Sequence, residues 1–561
     1  MMKFIAKMKK FTHRAFLHLV LVAGSILFAA PFIWLGSTSA KVPDEMYPPK
    51  WVPQIPTRVM QSPYLQLREN ERVTRPFSVS EENWSRLSGP IQAAISKKMV
   101  SMASELPDFY GPNLSHPTLA EGAFSRLLKR APDEIFDKSE QEAAEWFTQR
   151  LDGKLVREIF EVAYRCVALS DVTISGRDVT VEYPTQTDEK FPWRVSSGDA
   201  TITTRPEGYR RPAQEVEYSF EKNHSFALSS VMPIHMKPEN LKKITVSNHG
   251  DRSWHKLGVI IELAGRKWES AQPAFSGTDR WQETTWQTPS EDDNAITMKT
   301  YLRLKDAGPS DFNEAGKIKL TLNYSQANGL WAAFNKYINN YRNALRMAPF
   351  WLYAKNSLLL VALNILGQIV GSSLVAFSFA RLRWPARDFC FTLLLATLMI
   401  PAQVTMIPVF LIYKNLGWYD TLRPLWVASF FGSAFYIFLL RQFMRGIPAD
   451  LEDSAKIDGC GYLGIYAQVI LPLIKPALAA IGILTFMSVW NDFMGPLIYL
   501  NDQRLYPLSL GLFSLQVFQQ ANCDYGLMMA AAVLTTLPVI FLFFAAQRHF
   551  IQGVTLTGLK G

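Results

Sequence analysis

The chain has 561 residues, of which 48% are hydrophobic and 19% charged, with a mean hydropathy of +0.02. Charge content below the usual quarter and abundant Trp, Tyr and Phe exclude a disordered chain, and four cysteines exclude a disulfide scaffold. The net charge of +9 at pH 7 would suit nucleic acid only if it were concentrated in a basic stripe, and it is not. Residues 58–333 carry 35 Lys and Arg against 38 Asp and Glu, a net of −3, so the remainder carries +12. The chain therefore divides into sparsely charged basic flanks and a charge-rich, mildly acidic middle.

Lys3, Lys7, Lys9, Lys10 and Arg14 precede an apolar run from Ala15 to Gly36, long enough for a bilayer span of about 20 residues. A cleaved signal peptide ending at Thr38-Ser39-Ala40 is the alternative, although the run exceeds an ordinary signal core. Either way the basic flank predicts a cytoplasmic N-terminus.

The middle section changes period along its length. Capping boxes at Ser78–Glu81, Thr118–Glu121 and Ser139–Glu142 predict helices, the last running to about Cys166 and broken or weakened at Gly153. From about residue 168 the period becomes two. Val172–Ile174 and Val179–Val181 flank a turn at Ser175–Asp178 and predict a hairpin. Further strands are expected at Glu215–Phe220, Lys243–Ser247, Leu257–Leu263, Arg280–Trp286, Ile296–Leu304 and Lys317–Tyr324. These suggest an antiparallel β-sandwich of jelly-roll type. Trp281 and Trp286 are candidates for an external ligand platform; their odd separation puts them on opposite faces of a regular strand, so one is expected in the core. His224, His235, His249 and His255 lack metal-ligand spacing, no metal site is predicted, and no convincing nucleophile motif appears.

Beyond residue 350, apolar spans are expected near 353–379, 389–412, 423–442, 476–500 and 526–547. Arg381, Arg383 and Arg387, then Arg441, Arg445, Lys456 and Lys475, then Arg548 and Lys560 fall on the N-terminal side of the membrane if the chain crosses six times. Both termini are then cytoplasmic and residues 58–333 lie outside. Asn364, Gln368, Gln403, Asn491 and Asp492 are intramembrane polar residues, suited either to a translocation path or to hydrogen bonding between helices. Cys166 and Cys523 fall on the same outer side, with pairing between them left open.

The cytoplasmic stretch after the fourth span, 443–475, reads as a short helix, a break at Gly459, a second helix and a stop at Pro472. Asp453, Ser454, Ala455, Gly459, Val469, Leu471 and Pro472 resemble the EAA motif of binding-protein-dependent ABC importers, with its spacing intact and conservative changes of Asp for Glu, Ser for Ala and Val for Ile. Pro31–Ser39, Pro43–Glu45, Pro48–Pro53, Asn340–Ala344, Asn356-Ser357, Ala380–Arg383, Ile400-Pro401, Leu440–Phe443, Trp490–Phe493, Gln547–Gly553 and Lys560-Gly561 follow in family order. Together they resemble the maltose-type (MalG-like) sugar permeases.

The resemblance implies six transmembrane helices in the ABC importer permease fold, with 1–57 and 334–561 forming the permease. In that family the equivalents of Thr57 and Phe334 are nearly adjacent, so 58–167 and 168–333 read as an inserted α+β region, helical then sandwich-like. It further implies a sugar importer with a second (MalF-like) permease subunit, two ABC ATPase subunits and an extracytoplasmic solute-binding protein. The stretch containing Asp453, Ser454, Ala455, Asp458 and Gly459 would dock in an ATPase cleft. The sequence lacks a Gly-x-x-x-x-Gly-Lys-Ser/Thr loop, so no cofactor is expected on this chain, and ATP-Mg is expected on the partner subunits. No catalytic residue is expected. A carbohydrate receptor coupled to an ATPase is the alternative.

Overall fold

The computed structural model describes residues 2–46, 51–56, 58–67, 71–107, 110–184, 193–205, 212–289, 299–520 and 524–555. They form two units, one of residues 1–54, 292–299 and 337–561, the other of 55–291 and 300–336.

Four helices of the first unit are long and apolar enough to cross a membrane: Phe16–Ser39, Phe350–Arg381, Arg423–Arg445 and Tyr525–Ala546. Two bent pairs raise the number to six if each is one crossing: Arg387–Met399 with Ala402–Asn415, bent by 101°, and Tyr462–Leu473 with Lys475–Trp490, bent by 76°. The first break falls at Ile400-Pro401, where proline removes a helix donor and pushes the preceding residue towards extended backbone. The span expected over 476–500 instead ends at Trp490, and a separate short helix, Met494–Tyr499, follows.

The fourth span is also irregular. It begins as two short 3-10 turns and becomes α-helical only from Ala434. Gly432 between them has φ +78°, and a Cβ there would lie 3.1 Å from the Ser372 backbone. Glycine is thus needed both for left-handed backbone and for close approach of the second span.

The first helix, Met2–Ser39, is unbroken, and its end is built into the unit. Asn340 donates to the carbonyls of Ser39 and Lys41 at 2.9 and 2.8 Å, and the Tyr341 and Ser39 hydroxyls are 2.6 Å apart. Ser39, in the expected small-residue cleavage site, is fully buried.

The second unit starts with helices Glu81–Ser101, Pro117–Leu128, Glu140–Gln149 and Gly153–Ala163. Leu87, Ile91, Ile95 and Met99 recur every four residues on one buried face of the first, as an amphipathic helix requires. Phe124, Phe136, Phe147 and Phe160 fill the space between the helices.

The capping box expected at Ser139 is present, but the other two are displaced. Ser80 caps the first helix by accepting from the Asn83 N–H, while Ser78 donates to Asp133 at 2.8 Å. His116 Nδ1 caps the second by accepting from the Thr118 N–H at 3.3 Å. The first cap lies two residues later than expected and the second two residues earlier, so each helix starts with a different set of orphan amides. The break expected at Gly153 lies just before it, because Asp152 caps a new helix there.

The β part has a central strand, Leu241–His249, paired antiparallel with Val167–Gly176 on one side and Trp281–Gln287 on the other. Lys256–Leu263 and Lys317–Ser325 pair antiparallel in a second half, extended by Ser225–Pro233. A short parallel pairing of Trp286 with Leu302 and Gln287 with Arg303 joins the halves. Both halves contribute to one core, with Ile174, Val246 and Trp286 from the first and Val259, Leu320 and Leu228 from the second. The hairpin across Ser175–Asp178 forms with Ser175 opposite Thr180.

Strands Arg194–Ser197, Ala200–Arg205, Ser225–Pro233 and Arg266–Ser270 were not legible in the sequence, since they lack a sustained alternation of apolar residues. The strand expected over Ile296–Leu304 begins only at Leu302 and runs to Pro309; residues 296–298 lie outside the described residues.

Candidate functional site

Helix Asp450–Ile457 buries Glu452 and Ala455, three residues apart, and exposes the rest. It ends in a Schellman turn. The Cys460 N–H donates to the Ala455 carbonyl at 2.9 Å and the Gly459 N–H to the Lys456 carbonyl at 3.0 Å. Gly459 has φ +82°. Its Cβ position meets nothing within 4 Å. The glycine is required by the left-handed backbone.

Around that turn the apolar side chains Ile457, Tyr462 and Leu463 stand exposed, Ile457 at 86% and Leu463 at 77%. Asp453, Ser454 and Asp458 are exposed as well, and Asp453 pairs with Lys456 at 2.8 Å. That hydrogen-bonded carboxylate raises the Lys456 ammonium pKa. Val469 and Leu471 are half-buried just before the bend between Tyr462–Leu473 and Lys475–Trp490, and Pro472 is exposed.

The buried side of the loop is joined to the second span. Arg381, the last residue of that helix, forms an ion pair of 2.7 Å with Glu452 and donates to the Ile447 carbonyl at 2.7 Å. The hydroxyls of Ser373 and Tyr466 are 2.7 Å apart, and Phe377 packs against Tyr466. None of these contacts was read from the sequence. The Glu452/Ala455 spacing carried a signal for one of them, because a charged residue on the apolar side of an amphipathic helix needs a partner.

The intramembrane polar residues separate into two groups. Asn364 is buried, donates to the Leu360 and Leu425 carbonyls at 2.8 and 3.0 Å, and accepts from Ser429. Gln368 accepts from the Ser433 N–H and the Ser372 hydroxyl, both at 3.1 Å. Both bind the second span to the irregular start of the fourth.

Asp492 accepts from the Gly495 N–H at 3.1 Å and joins Asn364 and Ser488 on the wall of a cavity of about 210 Å³. Gln403 and Asn491 are exposed elsewhere on this unit, with Asn491 donating to the Met487 carbonyl at 2.8 Å. The structure therefore brings Asn364 and Asp492 together and leaves the other three outside that cavity.

In the second unit Trp286 is fully buried in the β core, which removes it as a ligand platform. Trp281 lies half-buried with its ring 5.5 Å from that of His249. Cys166 is buried among the helices, and Cys523 lies outside the described residues.

Residues 368–556 match the model of the family described as binding-protein-dependent transport system inner membrane component. The arabinooligosaccharide transport system permease protein of Halalkalibacterium halodurans is 34% identical over 212 residues, which cover 38% of this chain and 75% of that protein. Its Bacillus subtilis counterpart is 34% identical over 38% of this chain and 73% of that protein. The sn-glycerol-3-phosphate transport system permease protein of Salmonella typhimurium is 32% identical, covering 37% and 73%. With a loop of the EAA pattern between two spans and relatives matched over most of their length, the chain belongs to the family of binding-protein-dependent transport inner membrane components and is a multi-pass permease subunit of an ABC importer.

Proposed function

We propose that this permease carries a sugar or oligosaccharide into the cytoplasm, driven through the Asp450–Gly459 helix and turn by ATP-Mg hydrolysed on two separate ATPase subunits. A second, MalF-like permease completes the path, and a solute-binding protein delivers the sugar to the outer face. The naming of two relatives for arabinooligosaccharide transport supports the substrate class. The termini and the 443–475 loop are cytoplasmic in this reading, and 58–333 is an insertion in the first external loop.

One observation carries the coupling role. The loop offers exposed Ile457, Tyr462 and Leu463 on one side, while Arg381–Glu452 and Ser373–Tyr466 tie its other side to the second span. A partner that grips the exposed side and closes on nucleotide can only move the loop by pulling on that span, because a buried ion pair is costly to break. Asn364 and Asp492 are the residues through which this subunit would reach the path, and Trp281 the external aromatic available to sugar.

The test is uptake of radiolabelled arabino-oligosaccharides by cells carrying the complete transporter, with wild-type chain, Gly459→Glu or Leu463→Glu. Both variants are expected to abolish uptake while leaving assembly in the membrane intact. Unchanged uptake would overturn the coupling role. Joining the flanks after deleting 58–333 tests the insertion separately: altered transport or substrate range places it in the import cycle, and an intact one removes it.

A further inference from the structure

The turn between the second and third spans has a chemistry that the transport cycle does not use. Arg383, Trp384, Ala386, Arg387, Asp388 and Phe389 line an open cavity of about 360 Å³. Arg387 is held by Asp388 at 3.0 and 3.4 Å and by the Leu382 carbonyl at 3.4 Å. Arg383 is exposed and forms no ion pair among the described residues. Arg441 and Arg445 lie close enough to act on Asp388 through space. One carboxylate thus faces three guanidinium groups, with Arg383 a fourth on the cavity wall, an excess of positive charge beside apolar spans.

Three further features of the cavity favour an anion with an apolar tail. The Trp384 indole N–H is buried and has no acceptor. Helix Arg387–Ala396 starts here, after Ala386 at φ +61°, with no side-chain cap, so its first-turn amides present unsatisfied donors. From the same helix Phe389 and Leu393, four residues apart and 71% and 58% exposed, continue the cavity as an apolar strip along the span. Guanidinium pairs with phosphate in a bidentate fork, and an indole N–H adds a donor without adding charge.

We propose that this cavity binds the phosphate of an anionic phospholipid in the inner leaflet, with Arg383 and Arg387 on the headgroup, Trp384 as a further donor, and Phe389 and Leu393 along an acyl chain. The leaflet rests on the orientation proposed above. Basic pockets between spans on the cytoplasmic side are suited to such headgroups.

The experiment is native mass spectrometry of the purified complete transporter, titrated with phosphatidylglycerol, with phosphatidylcholine and with inorganic phosphate. The wild type is expected to retain phosphatidylglycerol in preference to phosphatidylcholine, with inorganic phosphate a weak competitor. Each Arg→Gln change at 383 or 387 is expected to weaken retention about fivefold. Asp388→Asn should strengthen it by releasing Arg387, and this gain cannot come from misfolding. Phe389→Gln should reduce lipid retention and leave phosphate competition unchanged.

Equal retention of the two lipids, or weaker retention in Asp388→Asn, would overturn the site. Inorganic phosphate displacing the lipid completely would make it a free-anion site and overturn the lipid assignment. Crosslinking of Arg383→Cys to an ATPase subunit would make it a protein contact and overturn it too. Labelling of Arg383→Cys by an impermeant thiol reagent from outside overturns the orientation and the leaflet together, whereas lipid indifference with labelling only from inside overturns the site alone.

Discussion

Replacing Gly459 separates two reasons for a glycine at a docking loop. Its φ of +82° is left-handed, and the space around its Cβ position is open to 4 Å within this chain. Intrinsic strain therefore sets the cost of a side chain here, at about 1–2 kcal/mol for an ordinary L-residue. Asn is better tolerated because it adopts left-handed backbone more readily. A β-branched residue is worst placed. The expected order of function is Gly459, then Asn, Ala and Val, with the Ala loop losing its closed turn about 5- to 30-fold more often.

Two measurements check this in the reconstituted transporter. Hydrogen exchange at the Gly459 and Cys460 amides reads the two bonds that close the turn, and radiolabelled sugar uptake reads coupling. If the partner's surface instead packs tightly against Gly459, function falls with side-chain volume, and Ala outperforms Asn. That reversed order would refute the strain account.

Removing Arg381 leaves the Glu452 carboxylate buried without its partner. Arg381→Met is expected to destabilise the first unit by about 3–5 kcal/mol, and the Arg381→Met/Glu452→Leu double variant by much less, in thermal unfolding of the purified chain. Trp286→Ala should cost about 3–5 kcal/mol in the same measurement, as expected for a fully buried Trp, and Trp281→Ala should cost under about 1 kcal/mol. Asn364→Leu removes hydrogen bonds to Leu360, Leu425 and Ser429 and should cost about 2–3 kcal/mol in the same measurement. His255 is buried, which lowers its pKa, while the Asp251 carboxylate acts in the opposite direction. Its Nδ1 accepts from the Ala327 N–H at 3.1 Å, so the folded state holds the neutral ring. The unfolded chain takes up a proton first as pH falls. Stability of the second unit is therefore expected to be full above the unfolded His value of about 6.5 and to decline below it. Hydrogen exchange at Ala327 in the full chain at pH 7.5 and 5.5 reads this, and His255→Gln should flatten the difference.

The parts that sequence reveals best are those where one physical demand dominates. Long apolar spans and a glycine break after a short amphipathic helix each have a single cause, and both were readable. The bends were less so: Ile400-Pro401 carried a proline signal, but the irregular fourth span depends on Gly432 meeting Ser372, a contact 60 residues away in sequence. The caps at Ser80 and His116 each lie two residues from those expected, because several polar side chains compete to start each helix. The Arg381–Glu452 pair and the Asn364/Asp492 cavity are tertiary and have no local pattern. In contrast, the odd spacing of Trp281 and Trp286 already implied that only one could face out.

The pair of hydrogen bonds from Asn340 to the Ser39 and Lys41 carbonyls has a consequence for synthesis. Its partners lie 301 and 299 residues apart in sequence. At about 5–20 residues per second, the ribosome needs roughly 15–60 s to deliver Asn340 after Lys41 has emerged. During that interval the first span stands in the membrane with the carbonyls at its end awaiting their donor, while the whole second unit becomes available to fold. The order of supply is then imposed by the chain itself: the whole second unit is synthesised before the donor that locks the first span into the permease.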